Sequence, residues 1–250
     1  GGGGTSSGGF AAGGGLYHSA VSLTAVRESH FADNIARGGA ANGVSGSGGA
    51  AFGGALGVVG PLAEISGSTF SGNRVEGGDG VTFGGIAKGG GASLESTGAL
   101  LVINTTVYGN VAFGGTSSGS GHGSAAGGGL DEGGILTTLK HVTVAANQAH
   151  SEEESAGGGI SGTFTLDNTV LADNLVTGPS PDGADCAGAV VSAGFNHAEN
   201  PGASCVFAAA GDVVGSDPLL GPFGDHGCTP DRVLPDGSCA PTVALLLTSL

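Results

Sequence analysis

Residues 89–112 read GGGASLESTGALLVINTTVYGNVA, and their skeleton recurs along the chain. Counting from Val102, an apolar residue stands at +5 (Val107), asparagine at +8 (Asn110) and a small residue at +10 (Ala112). The same offsets hold in Val26/Phe31/Asn34/Ala36, Ile65/Phe70/Asn73/Val75, Leu139/Val144/Asn147/Ala149 and Leu166/Leu171/Asn174/Val176. Glycine clusters precede them: Gly13–Gly15, Gly53–Gly54, Gly89–Gly91, Gly127–Gly129 and Gly157–Gly159. The asparagines are 39, 37, 37 and 27 residues apart, so a fixed unit carries inserts of variable length, the mark of stacked repeats.

The middle of each unit is short and β-branched, as in LLVINTTV (100–107) and LTTLKHVTV (136–144). Alternation and β-branching favour strands, and no helical apolar stripe is sustained. A unit of this length holds two or three short strands and cannot bury its own apolar face. Stacking solves that, and the expected fold is an all-β parallel β-helix, a solenoid of about five clear coils with a C-terminal cap. Val26-Ile65-Val102-Leu139-Leu166 and Phe31-Phe70-Val107-Val144-Leu171 become apolar ladders inside it. Asn34, Asn73, Asn110, Asn147 and Asn174 form a structural ladder at a corner, where carboxamides satisfy backbone groups and asparagine tolerates the left-handed conformation. The inserts 37–52, 76–88, 113–126 and 150–156 all enter at one point, so they project from one edge. Their composition suits flexible loops that serve as a contact edge.

Residues 1–176 read as repeats, and residues 177–250 as the last coils and cap of the same domain. The chain lacks Met and opens inside a glycine run, so further coils and a secretion signal are expected upstream, with this segment a monomeric part of a longer chain. No apolar run is long enough to span a membrane. Net charge is −15 with six basic residues, which excludes nucleic acid as a partner and disfavours acidic polysaccharides.

The stretches GGGLYHSAVSLTAVRESHFADNIA (13–36), LAEISGSTFSGNRV (62–75) and GGGISGTFTLDNTVLADNLV (157–176) resemble right-handed β-helix coils of the pectin-lyase-like superfamily. The likeness extends to bacterial polymorphic outer membrane proteins and, through GSDPLLGP (215–222), to choice-of-anchor secreted proteins. It implies a secreted or cell-surface location. Cys186, Cys205, Cys228 and Cys239 allow three pairings. Sequence proximity and the resemblance together favour Cys186–Cys205 and Cys228–Cys239, fastening the cap in an oxidising compartment.

β-helix lyases need a basic residue with cation or arginine help, and Arg27 and Lys140 stand three coils apart. Glycosidases need carboxylates on adjacent coils, and Asp131, Glu132 and Asp167 are the candidates for that alternative. Gly121-His122-Gly123 is similar to a polygalacturonase motif but lies in an insert without the accompanying motifs. Thr69, Thr106 and Thr143 form one outward rank, too few for an ice-binding face. Calcium is the one cofactor to consider, with Asp182 and Asp185 or Asp212 and Asp217 as candidate ligands, although turn and cap roles suit them as well. The expected function is structural or adhesive display, non-catalytic, with carbohydrate or a cell-surface protein as partner. A polysaccharide hydrolase or lyase is the alternative.

Overall fold

Each coil turns where its glycines and asparagines stand. The computed structural model describes residues 6–19, 25–133 and 136–224. One complete coil contains Ala87–Lys88, Ala92–Glu95, Leu100–Ile103, Thr106–Tyr108 and Val111–Phe113, five strands rather than two or three. Each pairs in parallel with its counterpart in the coils before and after. Five parallel sheets result, here called faces I to V in chain order, with six, six, seven, seven and five strands. The protein is therefore an all-β parallel β-helix. The ladders from Val26 to Leu166 and from Phe31 to Leu171 are in the expected register.

Two cores, not one, fill the coils. Faces II, III and IV enclose Leu, Ile, Val and Phe, with Phe70, Phe164 and Leu139 fully buried. Faces V and I close on a separate cluster of Ala36, Val75, Ala112, Ala149, Ala51, Ala87 and Ala125. Between them the coil is pinched, and the glycine clusters make the pinch. The first glycine of each turns the chain in the left-handed region, with φ of 60° at Gly13 and 68° at Gly89. The second touches the backbone of face V: a methyl on Gly90 would lie 2.6 Å from Val111 C. The third lies on the asparagine column, where a methyl on Gly129 would be 3.1 Å from Asn147 Cγ.

The asparagines close the waist from the other side. Asn110 Nδ2 donates to Phe70 O and to Asn147 Oδ1, both at 2.9 Å. Its own Oδ1 accepts from Asn73 Nδ2 at 2.8 Å and Asn73 N at 3.0 Å. The pattern runs from Asn34 to Asn174. The ladder asparagines do not take the left-handed conformation themselves. The preceding residues do: Asp33, Gly72, Gly109, Ala146 and Asp173, with φ between 55° and 64°. A carboxamide that must point inward at the corner needs its neighbour, not itself, to reverse the chain.

The corner between faces III and IV repeats this device with different residues. Glu28, Gly67, Asn104, His141, Asn168 and Phe195 are left-handed, with φ from 47° to 56°. The next residues, Ser68, Thr105, Thr169 and Asn196, are buried. Ser68 Oγ donates to Ser66 O and Thr105 Oγ1 to Ile103 O. Their constant offset of +3 from the Ile65/Val102/Leu166 column was a legible signal, obscured by Val142 in the fourth coil.

The inserts are not flexible loops. Their outgoing and returning limbs interdigitate through a relay of backbone bonds, each at 2.8 Å: Gly123 N to Gly115 O, Gly115 N to Gly85 O, Gly85 N to Gly78 O, Gly78 N to Gly49 O, Gly49 N to Gly39 O and Gly39 N to Gly9 O. A methyl on Gly85 would sit 2.0 Å from Gly49 O, so these glycines are required by close approach. The composition that suggested looseness instead permits backbones to touch.

At the C-terminal end, Phe223 stacks on Tyr108 with centroids 4.4 Å apart. The chain beyond Val214 therefore returns along face IV. Thr69 and Thr106, expected to be outward and exposed, are buried. Cys186 and Cys205 form a disulfide. Cys228 and Cys239 lie outside the described residues.

Candidate functional site

The chain turns sharply at each first glycine, so the outer surfaces of faces I and II form a concave corner. The face I column reads Ala12, Phe52, Lys88, Ala126, Ala156, Asp182. The face II column reads Tyr17, Gly57, Ser93, Asp131, Ser161, Ala187. At one end the corner opens into a groove of about 180 Å³ lined by Phe10, Tyr17, Phe52, Ser93 and Glu95. Phe10 and Phe52 pack tilted at 5.3 Å between centroids. Gly57 leaves room for the Tyr17 ring, whose Cδ2 would be 3.2 Å from an added methyl.

One rung on from Ser93 lies Asp131, only 3% exposed. Burial pushes its carboxyl up to about 7, Lys88 opposes the shift, and Glu132 and Glu95 add to it. Lys88 Nζ is 3.7 Å from Asp131 Oδ2. Glu132 occupies the inward column beside Leu94, is 5% exposed, and accepts a bond from Thr163 N at 3.4 Å. Asp167 does not join them. It lies on face III, 2.9 Å from Lys140 Nζ, and that lysine holds its carboxyl below the usual range. Adjacency in the repeat was mistaken for adjacency in space, because Asp167 belongs to a different sheet. The acid near Asp131 that sequence reading missed is Glu95. Phe52 and Lys88 immediately precede their glycine clusters, and Tyr17, Ser93 and Asp131 stand four after the first glycine. These offsets were readable; that both columns face one groove was not.

Three of the four calcium candidates are engaged in other bonds. Asp185 takes the third position of the last cluster, Gly183-Ala184-Asp185, and ends the asparagine ladder: its Oδ1 accepts from Asn174 Nδ2 at 2.9 Å and its Oδ2 from Asn200 N at 2.6 Å. Burial raises its pKa against those bonds. Asp212 ends the second polar column, accepting from Asn196 N at 3.0 Å, Ser192 Oγ at 2.8 Å and Ala209 N at 2.9 Å. Burial opposes its ionisation, yet these bonds hold its pKa low. Asp217 Oδ1 accepts from Leu219 N at 2.6 Å, a turn contact. Asp182 is exposed at the end of face I. Among the described residues no group of three or more His, Cys, Asp or Glu is placed to hold a metal ion.

His122 Nδ1 accepts from Ser117 N at 3.1 Å and lies 3.3 Å from Glu152, within the insert stack. Among the described residues no helix is long and apolar enough to cross a membrane. No protein-family model, curated protein or solved structure matches this chain.

Proposed function

We propose that this chain is a secreted or cell-surface structural and adhesive β-helix that holds carbohydrate, without cleaving it, in the groove between faces I and II. The observation that carries the reading is the convergence of Phe10, Tyr17 and Phe52 with Ser93 and Glu95 in one recess. Aromatic rings offer flat apolar surface to sugar C–H faces, and a few fixed polar groups orient hydroxyls. Backbone ladders on every face hold the groove rigid. The contact edge is this groove rather than the inserts, whose limbs are consumed in bonding one another. The Cys186–Cys205 disulfide suits an oxidising compartment. The likeness to displayed coils of the pectin-lyase-like superfamily supports the same reading.

A second reading has its own observation. A carboxyl with a pKa of about 7 near a second acid is what a general acid requires, which favours a polysaccharide hydrolase built on Asp131 and Glu95. Against it, the Asp131 side chain is only 4% exposed. One experiment separates the two: binding and turnover across a panel of neutral and acidic glycans. Saturable binding weakened about tenfold by Tyr17→Ala, with no release of reducing ends or unsaturated uronate, supports adhesion. Turnover abolished by Asp131→Asn in a folded variant replaces it with the hydrolase. Failure to bind any glycan defeats both.

A further inference from the structure

A second recess lies where the outgoing insert limbs rise from face V. Its floor is the outward surface of that face, with the column Arg37, Glu76, Phe113 and, beside it, Arg74. The recess encloses about 440 Å³, within the range of small-molecule sites, and both arginines, Glu76, Phe113 and Asp79 line it.

Charge is distributed unusually here for so acidic a chain. Arg27 pairs with Glu64, Lys88 with Asp131 and Lys140 with Asp167, one cation to one acid. Arg37 and Arg74 instead share the single carboxylate of Glu76, each meeting it through Nε. A guanidinium has five N–H donors, so the terminal nitrogens of both forks retain capacity for another acceptor. Asp79, the other acid in the recess, has its Oδ1 tied to Thr116 N at 3.0 Å and Thr116 Oγ1 at 2.7 Å, on the neighbouring insert.

Arg74 is also held in place before any ligand arrives. Its guanidinium lies over the Phe113 ring at 4.2 Å, and Phe113 packs edge-on to His150 at 5.6 Å. Stacked on one face and bonded at Nε, it is a preorganised fork of the kind that takes carboxylates through paired N–H bonds. Glu76 shows that a carboxylate reaches both guanidiniums from within the chain, through one nitrogen of each.

We propose that this recess binds a small organic carboxylate with a flat apolar body, Arg74 and Arg37 receiving the charge and the Phe113 side of the recess the body. Glu76 is then the internal competitor for the same donors. The test titrates the full 250-residue chain with benzoate, with its neutral isostere benzamide and with inorganic phosphate, following arginine Nε–H shifts by NMR. Saturable binding of benzoate over both controls is expected. Arg74→Gln should weaken it about tenfold, and Glu76→Gln, which frees donors, should tighten it several-fold. Benzamide binding as well as benzoate, phosphate binding in preference to it, or no benzoate binding in either wild type or Glu76→Gln overturns the proposal. The Glu76→Gln arm guards against an Arg74 variant that merely loses its fold, since a purely structural ion pair predicts no gain of affinity.

Discussion

Faces II, III and IV close on Leu, Ile, Val and Phe, whereas faces V and I close on alanines and continue into glycines bonded backbone to backbone. The ladders are the same; what holds them differs. In the large lobe each buried Leu or Phe adds about 1.5–3 kcal/mol of apolar burial. In the small lobe a methyl contributes about 0.8 kcal/mol, and in the glycine relay of the inserts there is no side chain to bury. There each backbone bond nets about 0.5–1.5 kcal/mol against glycine's high ordering entropy. The comparison teaches that order and stability are separate: the insert glycines are bonded rung to rung, yet they should open first.

The waist is where both lobes depend on one residue, so the largest effect is expected there. Asn110→Ala strands Asn73 N, takes one of the two bonds donated by Asn73 Nδ2 and frees Phe70 O, and should cost about 4 kcal/mol in denaturant unfolding. Glu153→Ala, in an exposed part of an insert, should stay within about 0.5 kcal/mol. Equal melting temperatures for the two variants would break the idea that the waist couples the lobes.

Asp131 tests the outer corner of the same junction. Its folded pKa of about 7 is raised above the unfolded value near 4, so its contribution is fully present below pH ~4 and lost as pH rises through about 7. Asp131→Asn removes this dependence. The variant should gain on wild type by about 2–4 kcal/mol between pH 5 and pH 8. A stability difference flat across that range would show that Lys88 fully compensates the buried charge.

Gly85→Ala sharpens the comparison, because its methyl would meet Gly49 O at 2.0 Å and Gly78 N at 2.8 Å. The relay should part locally, costing about 2 kcal/mol, while the large lobe survives. Amide exchange should accelerate at Gly78 and Gly115 but not at Val107 or Leu139. Gly98→Ala, where the methyl meets nothing within 4 Å, is the control and should be near neutral. Global unfolding of Gly85→Ala with uniform loss of protection would mean that the two regions are one cooperative unit.

The smallest effect runs in the opposite direction. Ala146 holds φ of 55° where Gly109 stands in the preceding coil and Gly72 in the coil before that. Ala146→Gly should stabilise by up to about 1 kcal/mol in thermal unfolding, strain relief outweighing the added chain entropy. A loss of stability would show that the contacts of the half-buried Ala146, not its backbone, decide.

Much of this architecture can be read from the residues. The offsets among Val102, Val107, Asn110 and Ala112 repeat because each coil must place the same side chain at the same angle, and a stack cannot tolerate drift. The glycine clusters were legible as corners, although their division of labour was not: one reverses the chain, the second abuts face V and the third lies on the asparagine. The site was less legible. Asp131 was singled out, but Glu95, Lys88, Tyr17 and Phe52 were not, because they come from different coils and meet only when faces I and II turn toward each other.

By itself the sequence determined the repeat, the strand character, the apolar ladders and the asparagine column, all of which are local patterns copied at fixed spacing. Only the tertiary structure decided that there are two cores with a waist, that glycine-rich inserts are ordered, and that Arg37 and Arg74 share one acid. These depend on distances between coils. A glycine looks the same in sequence whether it leaves a chain free or lets two backbones come within bonding range.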